Sequence, residues 1–110
     1  MIWKYKKGNF KYWSQNGWKE TQGSSYTCYP FAVHKKVWFD GSLGKSWVIS
    51  HIATGREVGS FRLLKNAKEC AKQIEHPSFL MSTSEQILSS LCKTGSKDKI
   101  CRIIEHYRDK

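Results

Sequence analysis

The amino-acid sequence predicts an α+β fold, in which an antiparallel sheet is covered by one helix and followed by a C-terminal helical pair. Three observations carry that prediction. Up to residue 61 the apolar residues are largely aromatic or β-branched and come in short runs parted by glycine turns, as in a sheet of short strands. Between 64 and 76 they switch to helical spacing, and Pro77 ends the pattern. Beyond residue 82 two more helical stripes are parted by Gly95. A chain of 110 residues is one domain by length. It divides into an aromatic, basic β-meander (1–30), a β-β-β-α unit (31–76) and a helical hairpin (77–110).

Each element has a local reason. Ile2-Trp3-Lys4-Tyr5-Lys6 alternates, with Trp3 and Tyr5 on one face and Lys4 and Lys6 on the other. Lys7-Gly8-Asn9 turns the chain into a second strand over 10–15. Asn16-Gly17 is the strongest short hairpin signal, because both residues tolerate positive φ. A returning strand over 18–22 ends at Gly23-Ser24-Ser25. Strands are predicted over 31–39, 45–52 and 57–61, the last two joined by a Thr54-Gly55 turn. The helix over 64–76 aligns Leu64, Ala67, Cys70, Ala71 and Ile74. Ser82 and Glu85 have capping-box spacing. Ile87, Leu88, Leu91 and Cys92 form the stripe of the next helix, with Gly95 as its C-cap. The last helix, over 97–107, aligns Ile100, Ile103, Ile104 and Tyr107.

The stretch DGSLGKSW, residues 40–47, ends like a phosphate-binding loop. That loop needs a glycine at position 39, where Phe39 stands, and Gly41 comes two residues late. It also opens a helix, whereas Trp47-Val48-Ile49-Ser50-His51-Ile52 reads as a strand. The stretch is a turn between strands.

Composition narrows the function classes. Hydrophobic residues make up 39% of the chain and aromatics 14%, enough for a packed core. No apolar run reaches the roughly 20 residues of a membrane span, and MIWKYKKGNF holds no signal-peptide core. A soluble, cytoplasmic protein is expected. Of the four cysteines, Cys28, Cys70, Cys92 and Cys101, none forms a C-x-x-C pair. They are expected as reduced thiols packed like small hydrophobes, the last three on or beside apolar helix faces. The acidic residues are scattered without a carboxylate cluster, so no metal nuclease is implied, and no motif calls for a cofactor.

The charge is more informative. The chain holds 19 basic and 9 acidic residues, a net charge of +10. Residues 1–36 carry seven lysines against Glu20 alone, so most of the excess is N-terminal. A concentrated positive field attracts polyanions or an acidic protein surface.

Trp47 begins a strand, Gly55 turns the chain, Gly59-Ser60-Phe61 follows, and Ala67 and Ala71 are spaced along a helix. In this pattern residues 45–71 resemble the three-strand-plus-helix DNA-binding unit of phage integrase arm-binding domains and plant ethylene-response factors. The stretch W-x-x-x-H-x-x-T-G with its lysine-rich helix is also similar to small uncharacterised phage proteins. The resemblance covers about a quarter of the chain. It implies a phage or mobile-element origin and contact with DNA through the open face of the sheet. The family uses arginines there; this chain offers Lys35, Lys36, Lys45 and Arg56, with Glu57 among them.

The residues themselves point to nucleic acid as well. Trp3, Tyr5, Phe10, Tyr12, Trp13, Trp18, Tyr26 and Tyr29 are interleaved with lysines within thirty residues. Single strands are held by that combination, bases stacking on rings while cations follow the phosphates. Tyr12 and Trp13 are neighbours on a strand, so one of them faces outward. The expected site comprises Lys4, Lys6, Lys11, Lys35, Lys36, Lys45 and Arg56 for phosphate, and Trp13 and Trp18 for stacking. The function expected is that of a small, basic, non-enzymatic nucleic-acid-binding protein. Two alternatives belong to other classes. One is a phage-type inhibitor of a host nuclease or defence complex (anti-CRISPR-like), covering its partner with the same aromatic, basic patch. The other is a ribonuclease toxin with His34 and His51, on neighbouring strands, as acid and base.

Overall fold

The computed structural model describes residues 2–14, 17–38 and 40–108. Among them the chain runs β1 (Lys4–Lys6), β2 (Asn9–Ser14), β3 (Gly17–Gln22), β4 (Ser25–Cys28), β5 (Phe31–Val37), β6 (Leu43–His51) and β7 (Glu57–Phe61). Then come α1 (Leu64–Gln73), a 3-10 turn (Pro77–Leu80), α2 (Ser84–Lys93) and α3 (Lys97–Arg108). The α+β class is as expected. Five strands form an antiparallel sheet in the order β1-β4-β5-β6-β7, while β2 and β3 pair only with each other.

That topology corrects the meander expected over 1–30. β1 does not continue into β2. It pairs with β4, Lys4 opposite Thr27 and Lys6 opposite Ser25, and β4 falls where the sequence shows a break. A hairpin forms near the Asn16-Gly17 signal, but in a different register from the one expected: β2 and β3 pair up to Ser14 opposite Gly17, so Gly17 opens β3 instead of sitting in the turn, and Gln15 and Asn16 lie outside the described residues. Phe39, the end of the strand expected over 31–39, lies outside them too.

Strand alternation gives the sheet two unlike faces. The register aligns Tyr26, Val33 and Ile49 on one, together with Phe31, His51, Trp47 and Phe61. It aligns Lys4, Thr27, Ala32 and Ser50 on the other, together with Lys6, Ser25, His34 and Val48. The first face is the core. α1 brings Ala67, Cys70, Ala71 and Ile74 to it, and α3 brings Ile100 and Ile104. Each large apolar side chain so removed from water contributes about 1.5–3 kcal/mol. A Cβ on Gly59 would stand 3.1 Å from Ile104 Cγ2, so the missing side chain is what lets α3 approach β7. The cover is therefore two helices, α1 and α3, rather than the one expected.

The helix ends show further differences. α1 stops at Gln73, short of the expected 76, because His76 precedes proline and is held extended. The N-cap of α2 is Thr83, whose hydroxyl accepts from the Gln86 N–H at 3.2 Å, one residue later than the expected Ser82. Of its stripe, Ile87 and Leu91 are buried, but Leu88 and Cys92 are exposed. α2 ends as expected at Gly95, with φ +70° and a Schellman pair of bonds, Ser96 N–H to Leu91 O and Gly95 N–H to Cys92 O. Among the cysteines only Cys70 fits the expected buried thiol. Burial pushes it up to about 12, while Cys92 and Cys101 face solvent and Cys28 is half-buried. Among the described residues no helix is long and apolar enough to cross a membrane.

Candidate nucleic-acid interface

The second face of the sheet is polar, and the β2–β3 hairpin lies across it. Three contacts hold the hairpin there. Near its base, where the Gly23 N–H donates to the Gly8 carbonyl, the Phe10 ring stacks on His34 at 4.3 Å and 24°. Along β3 the Thr21 hydroxyl donates to the Gly41 carbonyl at 3.2 Å. At the tip, Trp13 and Trp18 stand directly opposite each other and meet edge to face at 5.6 Å. They rest on Gly55, where a Cβ would fall 2.6 Å from Trp13 Cβ and from the Trp18 ring. Gly55 also has φ +71°, so this turn needs glycine for both its backbone and its neighbours.

The hairpin leaves a space on either side. The larger cleft, about 760 Å³, lies between hairpin and sheet. Its lining includes Lys6 from β1, Lys11, Trp18, Lys19 and Glu20 from the hairpin, and Ser25, Thr27, Ala32 and His34 from the sheet. The smaller, about 270 Å³, is lined by Tyr12, Trp13, Lys36, Arg56 and Glu57, again with His34. Trp13 is 42% exposed and Trp18 49%, so each ring keeps surface free for a ligand.

The expected site is thus partly assembled. Lys6, Lys11 and Trp18 share one cleft, and Trp13, Lys36 and Arg56 the other. Lys4 is on the same sheet face as Lys6. Lys35 is a correction: as a strand neighbour of Lys36 it points the other way. Its ammonium lies 4.4 Å over the Trp47 ring and donates to the Lys45 carbonyl at 2.9 Å. Lys45 is exposed but lines neither cleft. Lys19 was missed; the observed register sets it opposite Tyr12, whereas a turn at Asn16-Gly17 would set it opposite Ser14.

His34 is 4% exposed. Its Nδ1–H donates to the Lys35 carbonyl at 2.7 Å, and Nε2 accepts from the Ser50 hydroxyl at 2.9 Å. Burial lowers its pKa, against the smaller opposing effects of that carbonyl and of Glu57. His51 lies on the opposite, helix face. Its Nε2–H donates to the Phe79 carbonyl, and Nδ1 meets the Thr54 hydroxyl at 3.0 Å. The sheet separates the two rings, so the acid–base pair expected of a ribonuclease is not formed.

Of the DGSLGKSW stretch only Asp40, Gly41 and Ser42 turn the chain, as the sequence implies, while Leu43–Trp47 already belong to β6, two residues earlier than the expected start at 45. The Asp40 carboxylate accepts from the Ser42 N–H at 2.9 Å and hydroxyl at 2.6 Å, which hold its pKa below the ordinary value. β6 follows, not a helix.

Set against known protein families, curated proteins and solved structures, the chain matches none. The sequence leads to the expectation that the sheet face away from the helix is open to DNA. Here the hairpin occupies that face.

Proposed function

We propose that the protein is a non-enzymatic nucleic-acid-binding protein, with the β2–β3 hairpin and its two flanking clefts as the contact surface. One observation carries this reading: Lys6, Lys11 and Lys19 line a single cleft together with the half-exposed Trp18. Cations beside an accessible aromatic face are what a sugar–phosphate strand with stackable bases requires. The N-terminal concentration of positive charge supports it, because phosphate neutralisation supplies most non-specific affinity. The resemblance of residues 45–71 supports a phage or mobile-element origin.

Fluorescence anisotropy with labelled duplex DNA, single-stranded DNA and RNA, each at two salt concentrations, tests the reading. Binding should be salt-sensitive, and Lys11→Glu with Lys19→Glu should weaken it for every probe. Absence of binding at low salt would remove the proposal. Weak, equal binding that vanishes near physiological salt would turn the same surface toward an acidic host protein, such as a nuclease or defence complex.

A further inference from the structure

The larger cleft lies between two layers, and this limits what can enter it. Ser25, Thr27 and Ala32 belong to the sheet; Lys11, Trp18 and Lys19 belong to the hairpin. The volume of about 760 Å³ is within the range of small-ligand sites, roughly 300–1,000 Å³. A paired duplex is too wide to pass between the layers. Nor is the hairpin free to enter a duplex. A two-stranded ribbon can fill a major groove, but this one is held down by Phe10 on His34 and by its two tryptophans on Gly55. What fits between the layers is a flat, polar-edged ring on a flexible anionic chain. Single strands offer that group, since their bases splay out and stack on protein rings.

We propose that this cleft takes one unpaired base of a single-stranded nucleic acid. The base stacks against Trp18 and turns its polar edge toward Thr27, and the flanking phosphates lie on Lys6, Lys11 and Lys19. Phe10 is not the stacking ring, because it is buried and already stacked on His34. The inference rests on the nucleic-acid reading above and names its substrate class. RNA and DNA single strands share these groups, and separate probes distinguish them.

The test is anisotropy with single-stranded RNA, single-stranded DNA and duplex DNA of one sequence, using wild type, Ala32→Phe and Thr27→Val. Ala32→Phe fills the cleft without changing charge. It should weaken single-strand binding roughly tenfold or more, the order of one lost base stack, and leave residual duplex binding unchanged. Thr27→Val, nearly isosteric, should weaken it by a smaller step, and this variant decides the matter if Ala32→Phe does not fold. Equal wild-type affinity for duplex and single strands would overturn the inference, as would unchanged single-strand binding in the folded cleft variants. Both results leave nucleic-acid binding itself standing. If no probe binds at low salt, the underlying reading fails instead.

Discussion

On the helix face of the sheet Phe31, Val33, Ile49 and Phe61 are all but inaccessible, closed over by α1 and α3. On the hairpin face the same sheet presents Ser25, Thr27, His34 and Ser50 to a cover made of two strands. The first face is closed by apolar area. The second is closed at a few points, with clefts between them. Close packing leaves no room for a ligand, while point contacts hold a cover in place and leave space beneath it. The difference sets a close-packed face against one that keeps open clefts, and the proposed function draws on the second.

Four substitutions or titrations would break or sharpen this contrast. Phe61→Ala, in the helix-face core, should cost about 3–5 kcal/mol in urea unfolding. A loss below about 1 kcal/mol would erase the distinction between the faces. Phe10→Ala should cost less, about 1.5–3 kcal/mol for the lost burial, and the loss should be local. Hydrogen exchange should speed up in β2 and β3 while β5 and β6 stay protected; uniform loss of protection would show that the hairpin belongs to the core. Gly55→Ala should cost about 1–3 kcal/mol by overpacking against Trp13 and Trp18, and should raise the exposure of both rings to a fluorescence quencher.

The smallest effect concerns pH. Burial lowers the His34 pKa below the ordinary 6.5, so the folded protein holds the ring neutral while the unfolded chain takes up a proton near that value. Its contribution to stability is complete above about pH 6.5 and falls as pH drops below it, levelling off beneath the folded pKa. His34→Gln should flatten that slope relative to wild type in melts across this range. An unchanged slope would mean that His34 is not held neutral.

The sequence revealed most where structure is local. The strand over 57–61 was legible to the residue, because a Thr54-Gly55 turn bounds it and Phe61 anchors it. α3 was legible from the spacing of Ile100, Ile103, Ile104 and Tyr107, all of which pack on the core. β4 was not. Ser25-Tyr26-Thr27-Cys28 has two strand formers, Tyr26 and Thr27, in a run of four beside a glycine-serine break, and it is held as a strand between β1 and β5. In the site, Trp13 and Trp18 could be read as stacking rings from their place among the lysines, but not as partners, since a turn at Asn16-Gly17 would set Trp18 opposite Gln15 and the structure sets it opposite Trp13. Their seat on Gly55 is a contact between distant parts of the chain, and no periodicity records it. Lys35 and Lys36 could have been separated by alternation alone, which points neighbours within the sheet to its opposite faces.

One feature of the topology reaches into how such a chain can change. Lys6 faces Ser25 across β1 and β4, and Gly8 is bonded to Gly23, so the hairpin leaves the sheet and returns to it at one point. In polymer terms it is a side excursion whose ends are already closed, and extra length in such a loop costs little, about 0.6 kcal/mol per doubling. Residues 9–22 can therefore be lengthened, shortened or exchanged without reordering the five strands. The hairpin is an interchangeable module on a constant scaffold, free to diversify at a rate the core could not tolerate.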